Sequence, residues 1–272
     1  MSDLPQSLVL IGAGRMGGAM LDGWLATGMR PQGITILDPQ ISNETLTTAR
    51  AHGIQINPPI QQVPPTQVVV VAVKPQMLDV VAPALKFLVK PTTLLLSILA
   101  GKTIADLALR MGGHSCIIRA MPNLPASVRR GVTAAVADSA VTENQRQMAD
   151  ALLRGVGKVE WLDDENLIDA VTAVSGSGPA YVFHMAEALA VAGMAAGLPA
   201  ELAERLARAT IEGAGEMLYK SDLPPAILRQ NVTSPGGTTA AALEVLMAEH
   251  GLTPLMRRTV AAAKRRAEEL AG

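Results

Sequence analysis

The sequence predicts an α/β fold: a doubly wound, mostly parallel sheet followed by an all-helical C-terminal domain. Three observations carry the prediction. Short apolar runs of strand length alternate with helix-like segments over residues 8–162. A glycine-rich turn joins the first run to the first helix. Beyond Asp163-Asp164-Glu165 the strand-like runs stop, and long alanine-rich segments take over. The chain is thereby expected to divide into residues 1–163 and 164–272.

In order, residues 8–11 form an apolar run that ends in glycines. Residues 16–27 read as a helix with Gly28 as its stop signal. Residues 34–37 are a second strand, followed by Asp38. Ser42 caps a helix running toward Arg50, and Gly53 ends it. Residues 68–73 are apolar and β-branched throughout, the pattern of a central parallel strand buried on both faces. Lys74-Pro75 stops them. A helix over 78–88, a strand over 93–98 and a helix over 103–111 follow. Strands are expected at 116–119, 132–137 and 159–162, with a polar-faced helix over 142–154. In the second half, helices are expected over 181–197, 200–219, 238–249 and 254–270.

Composition excludes several classes. Of 272 residues, 49% are apolar and 17% charged, enough for a core and against disorder. Aromatics are only 2%, so packing relies on close backbone approach. A net charge of −1 offers nothing to a nucleic acid. No apolar stretch nears the ~20 residues of a membrane span. The opening Met-Ser-Asp has no basic region before the first apolar run, so no signal peptide is expected. Cys116 is the single cysteine, which suits a reducing cytoplasm, and its apolar run predicts a buried, inert thiol.

Gly12-Ala13-Gly14-Arg15-Met16-Gly17 lies between the first strand and the first helix. Gly12 permits the tight turn, Gly14 lets backbone approach a pyrophosphate, and Gly17 lets the helix pack on the strand. The helix start supplies N–H groups and a positive dipole end. Asp38 stands about 20 residues past the loop, where an acid hydrogen-bonds the adenosine ribose. Together these make a Rossmann-like dinucleotide site. A carboxylate at Asp38 disfavours a 2′-phosphate, and residues 39–43 hold no cation, which favours NADH; Arg15 leaves NADPH open. Ala72-Val73-Lys74-Pro75 ends the central strand at the carboxyl edge, where ligands sit in such sheets. Pro75 either walls the cofactor or merely ends the strand, and Lys74 either contacts the cofactor or is solvated.

Four segments join that loop: Ala72 to Pro75, Arg119-Ala120-Met121-Pro122-Asn123, Ser175-Gly176-Ser177-Gly178-Pro179-Ala180-Tyr181, and Asn231-Val232-Thr233-Ser234-Pro235-Gly236-Gly237-Thr238-Thr239. In this order they resemble the pyrroline-5-carboxylate reductase family over nearly the whole chain. The departures are Arg15 in the loop and a proline-rich Asn57-Pro58-Pro59. The resemblance implies an oxidoreductase that takes NADPH or NADH and reduces 1-pyrroline-5-carboxylate to L-proline. It also implies a homodimer, or a dimer-based homo-oligomer, built through the helical domain. Small-residue faces at Gly193 and Gly197 suit such an interface, or simply tight packing within the domain.

The substrate carries one carboxylate and one imine. Ser234 to Thr238 precede a helix, so glycine-exposed N–H groups and the helix start can hold the carboxylate without a buried arginine. Gly236 and Gly237 supply backbone donors; Ser234 and Thr238 add hydroxyls. The resemblance implies that Thr239 points at the ring nitrogen, which makes Thr239 and Ser234 the catalytic candidates. It implies as well that Ser175 and Gly176 face the nicotinamide and substrate. Asn123, at a strand end, reaches the nicotinamide amide or forms a turn. Without the family, Ser234 to Thr239 read as a helix cap. Asp222 is an electrostatic partner or a helix start. His184 reads as a packing histidine, and no His/Cys cluster has metal-ligand spacing.

Two rivals stay open. A β-hydroxyacid dehydrogenase, or another imine reductase, shares the layout. The former uses a lysine early in its helical domain, whereas here only the late Lys220 and Lys264 occur. A non-catalytic dinucleotide-binding module would not need the second pair of glycine loops.

Overall fold

Runs of apolar residues with no polar face can be buried only between two helical layers, and residues 8–11 and 68–71 have that composition. A computed structural model describes residues 4–114 and 116–271. The opening residues 1–3, part of the leader expectation, lie outside the described residues. The strands are β1 (Leu8–Ile11), β2 (Ile34–Leu37), β3 (Gln55–Ile56), β4 (Val68–Val71), β5 (Leu94–Ser97), β6 (Ile117–Met121), β7 (Gly131–Ala137) and β8 (Gly157–Trp161). They form one sheet in the order β3-β2-β1-β4-β5-β6-β7-β8. The first six strands are parallel, in the 3-2-1-4-5-6 order of a dinucleotide-binding sheet. β6 and β7 are antiparallel because the link from Met121 to Gly131 is too short for a helical crossover. β8 returns parallel to β7 through a helix.

Helices α1 (Arg15–Ala26), α2 (Asn43–Ala51), α3 (Leu78–Leu88), α4 (Ile104–Arg110) and α5 (Glu143–Arg154) cover the sheet. Alternate strand residues face opposite layers. Leu8, Leu10, Val68 and Val70 pack with Met20, Trp24 and Leu152 of α1 and α5. Val9, Ile11, Val69 and Val71 pack with Leu78, Leu85 and Leu107 of α3 and α4. The Trp24 indole N–H donates to the Leu152 carbonyl at 2.9 Å, which satisfies a polar atom buried between α1 and α5. Side chains cap three helices of the sheet unit: Ser42 on α2, with full capping boxes at Thr103 on α4 and Thr142 on α5.

After β8 the described chain is helical: α6 (Ile168–Val171), a π-helical turn over Thr172–Gly176, α7 (Gly178–Ala195), α8 (Ala200–Lys220), α9 (Pro225–Asn231), α10 (Thr238–Leu246) and α11 (Leu252–Ala271). The chain divides into two compact units. One runs to Gly176 and includes the stretch from Lys264 onward; the other is Ser177–Ala263. The sheet ends near residue 163, yet the first helical turns stay with it. Arg119, buried in β6, explains this: its guanidinium donates to Glu165 at 2.8 Å, and the same carboxylate oxygen accepts the Ile104 N–H at 2.9 Å.

The unit 177–263 has a core of a different kind. Its buried apolar residues are Ala190, Ala203 and Ala207, while Phe183, Met185, Leu206 and Met217 stand exposed in the single chain. α7 and α8 approach closely at Gly193, where an added Cβ would lie 3.3 Å from Ala203 Cβ.

Several local expectations shift. The strand over 68–73 ends at Val71, because Pro75 draws the chain into a 3-10 turn. β3 and α9 carry too few residues to show periodicity. Cys116 is half-buried rather than buried, since it precedes β6 instead of lying within it.

Candidate dinucleotide and substrate site

Space decides which glycines of the first loop the protein itself needs. Gly12 has φ +90°, and a Cβ there would come within 2.8 Å of the Ala72 carbonyl and Val73 nitrogen. A Cβ on Gly17 would fall on the Gly12 carbonyl oxygen. A Cβ on Gly14 would meet nothing within 4 Å. Gly12 and Gly17 therefore serve the fold, and the room in front of Gly14 is the cradle a pyrophosphate would occupy. Gly14 is also the N-cap of α1. It supplies no side-chain cap, and the first turn holds no acid. Uncapped N–H groups at a positive helix end fit an anion.

Asp38 follows β2 and closes the loop from the other side. One carboxylate oxygen accepts the Ala13 N–H at 2.6 Å and the other the Gln40 N–H at 2.7 Å. Ala72, Val73 and Pro75 line the carboxyl edge of β4 and are half-buried; Lys74 is exposed. Gly14, Arg15, Met16, Met121, Asn123 and Gly176 all border one cleft of about 580 Å³. Loop and strand-end residues thus come together within the sheet unit. Asp22 lines the same cleft, and burial, then Glu44, push its carboxyl above the usual carboxylate range.

Asn123 is buried, and its amide is engaged on both sides. Nδ2 donates to the Ser175 carbonyl at 3.1 Å, and Oδ1 accepts the Val132 N–H at 2.9 Å. The Ser175 hydroxyl donates to the Val171 carbonyl at 3.1 Å. In this structure Asn123 lines the cleft and, through the Ser175 carbonyl, ties the π-helical turn to the strand end. The Met121 side chain closes on Gly176, where a Cβ would lie 3.1 Å from its terminal methyl.

In the helical unit, α10 begins as α1 does. Gly237 is its N-cap, with no side-chain cap and no acid in the first turn. Gly236 before it has φ +69°, a conformation that suits glycine. Gly237 N–H donates to the Ser234 carbonyl at 3.0 Å, and a Cβ on Gly237 would lie 2.5 Å from Ser234 Oγ. Ser234 and Thr238 are exposed and Thr239 is half-buried. Asp222 is exposed as well. His184 corrects its expected packing role: its side chain is 81% exposed in the single chain and pairs with Glu187.

Sequence reasoning passed over Ala100, Gly101 and Lys102. They follow β5 at the same sheet edge and border a cavity of about 240 Å³ with Pro75, Asp169 and Thr172. The signal was a glycine after an apolar strand, and Gly101 has φ +67°. No cluster of three or more His, Cys, Asp or Glu side chains suited to a metal occurs among the described residues. Nor is any helix there long and apolar enough to cross a membrane.

Sheet order, loop and uncapped helix define a dinucleotide-binding Rossmann unit joined to a helical unit. Residues 165–270 match the family model described as pyrroline-5-carboxylate reductase dimerisation, and residues 7–101 the one described as NADP oxidoreductase, coenzyme F420-dependent. The pyrroline-5-carboxylate reductase of Pseudomonas aeruginosa is 39% identical over 97% of this chain and 96% of its own. The solved pyrroline-5-carboxylate reductase of Coxiella burnetii superposes with a TM-score of 0.90 at 36% identity, covering 98% of both chains. The Plasmodium falciparum pyrroline carboxylate reductase, solved with NADP bound, gives 0.80 at 28% identity over 100% of both. The chain belongs to the pyrroline-5-carboxylate reductase family.

Proposed function

We propose that this protein reduces 1-pyrroline-5-carboxylate to L-proline at the expense of NADH or NADPH, in the cytoplasm and as a homodimer built through the helical unit. Family membership along the full chain supports the reaction. The observation that carries it to particular residues is the glycine start of α10, which has no side-chain cap and no acid in its first turn and so suits a carboxylate.

The bound nicotinamide supplies the hydride. This chain's residues bind and orient. Gly12 to Gly17 hold the pyrophosphate, Asp38 the adenosine ribose, and Ala72 to Pro75 wall the nicotinamide half. Asn123 holds Ser175 and Gly176 in place beside it. Backbone N–H groups of Gly236, Gly237 and Thr238, with the Ser234 hydroxyl, take the substrate carboxylate. Thr239 hydrogen-bonds the ring nitrogen. A protonated imine is the better acceptor, and the substrate takes that proton from water, so the residues need only hold it.

Exposed apolar side chains over 177–263 support the homodimer, because a unit whose buried apolar residues are alanines gains little from its own core. The test is the loss of reduced-nicotinamide absorbance on adding the cyclic imine, with proline measured as product. Oxidation with imine and none with hydroxyacids is expected. Turnover of a hydroxyacid would favour a β-hydroxyacid dehydrogenase, and cofactor binding with no turnover of either would favour a dinucleotide-binding module.

A further inference from the structure

Asn57 heads the proline-rich segment that departs from the family pattern, and the reading above gives it no role. Its backbone is left-handed, with φ +48°, in a region that favours glycine and tolerates asparagine. Its own N–H donates to the Ile36 carbonyl at 2.8 Å, which fixes it beside the end of β2. From there its amide grips the backbone of Asp38 twice. Oδ1 accepts the Asp38 N–H at 2.8 Å, and Nδ2 donates to the Asp38 carbonyl at 2.8 Å.

The Asp38 side chain is held at the other end by the N–H groups of Ala13 and Gln40. Backbone and side chain are thus both pinned, and the carboxylate is fixed beside the phosphate loop. Each oxygen accepts one bond and keeps lone-pair capacity for another. Such a group takes two hydroxyl donors of a ribose. It rejects a 2′-phosphate, which brings acceptors and negative charge. Residues 39–44, Pro-Gln-Ile-Ser-Asn-Glu, bring no cation to it, and Arg15 lines its cleft with the acids Asp22 and Glu44.

We propose that Asn57 is a positioning residue that clamps Asp38, and that the pair sets the cofactor preference of this chain to NADH over NADPH. This rests on the dinucleotide reading of the Gly12 to Gly17 loop. It differs from the NADP bound in the solved Plasmodium relative, which is 28% identical to this chain.

Titration calorimetry of the whole protein with NADH and with NADPH, without substrate, is the test. Wild type should bind NADH at least about tenfold more tightly, about 1.4 kcal/mol. Asp38→Asn should shrink that ratio below about threefold by gaining NADPH affinity, since it removes the charge, at the loss of one of the two backbone hydrogen bonds because an amide nitrogen cannot accept. Asn57→Gly keeps the left-handed backbone and removes the clamp; it should shrink the ratio by losing NADH affinity, with its melting temperature near wild type. A wild type that binds NADPH equally or better overturns the preference. An unchanged ratio in a folded Asn57→Gly overturns the clamp; should that variant not fold, an unchanged ratio in Asn57→Asp, which cannot donate to the Asp38 carbonyl, overturns it. If neither dinucleotide binds wild type, the loop reading fails and takes this inference with it, whereas equal binding of both leaves the loop reading standing.

Discussion

Gly12 and Gly14 are two residues apart, yet the fold asks different things of them. Gly12→Ala adds a Cβ at positive φ against the backbone of Ala72 and Val73, and should cost about 2 kcal/mol of stability, read as a lower unfolding midpoint. Gly14→Val places its side chain in open space, so its melting temperature should stay near wild type while cofactor affinity falls at least about a hundredfold, read by calorimetry. The reverse pattern would move the phosphate cradle elsewhere. Asp22 supplies a pH prediction. Burial raises its folded-state pKa, so its charged form is penalised in the folded protein above that pKa, and the penalty vanishes as pH falls below the unfolded value. Asp22→Asn should therefore raise the melting temperature at neutral pH and lose that advantage in the acid range; a constant difference across pH would contradict the cause. The glycines were legible because a turn after an apolar strand admits little else. The Asn57 clamp was not, because it joins residues 19 apart through side-chain geometry that no local pattern encodes.

Helix starts are of two kinds at the scale of elements. α2, α4 and α5 begin on Ser42, Thr103 and Thr142, whose side chains fill the orphan N–H positions. α1 and α10 begin on glycines without a side-chain cap, and α3, α7, α8 and α9 also begin without one, on other residues. Thr239→Ala, at the second residue of α10, should lower kcat by about ten- to a hundredfold, the worth of a hydrogen bond to a charged group, while leaving NADH affinity unchanged. Wild-type turnover would remove Thr239 from the site. The central strands were readable because burial on both faces leaves only apolar residues in β1 and β4, with Ser97 the one polar residue of β5. β3, with two residues, and α9, with seven, exist through their neighbours rather than their own periodicity. The reversal at β7 is physically implied by the short link after Met121, a signal read only once the strand ends are known. The π-helical turn over Thr172–Gly176 has no sequence mark; the long-range hold of Asn123 on Ser175 makes it intelligible.

For the whole molecule, the two units place different demands on stability. The sheet unit buries tryptophan, leucine and valine in two layers, whereas the unit 177–263 buries alanines and exposes its large apolar residues in the single chain. Stability should therefore depend on association: the melting temperature should rise with protein concentration, and Phe183→Glu should shift sedimentation from dimer toward monomer. A monomer at micromolar concentration with unchanged melting would contradict that. The change of character near residue 163 was visible in the sequence; that residues 165–176 stay with the sheet was not, because the tie is one arginine reaching 46 residues along the chain. The most direct measurement of the proposed reaction follows the hydride itself. With nicotinamide cofactor deuterated at the transferable position and the cyclic imine as acceptor, the protein should yield proline with one deuterium, on the ring carbon that was double-bonded to nitrogen. Proline without deuterium there, or no proline at all, would contradict it.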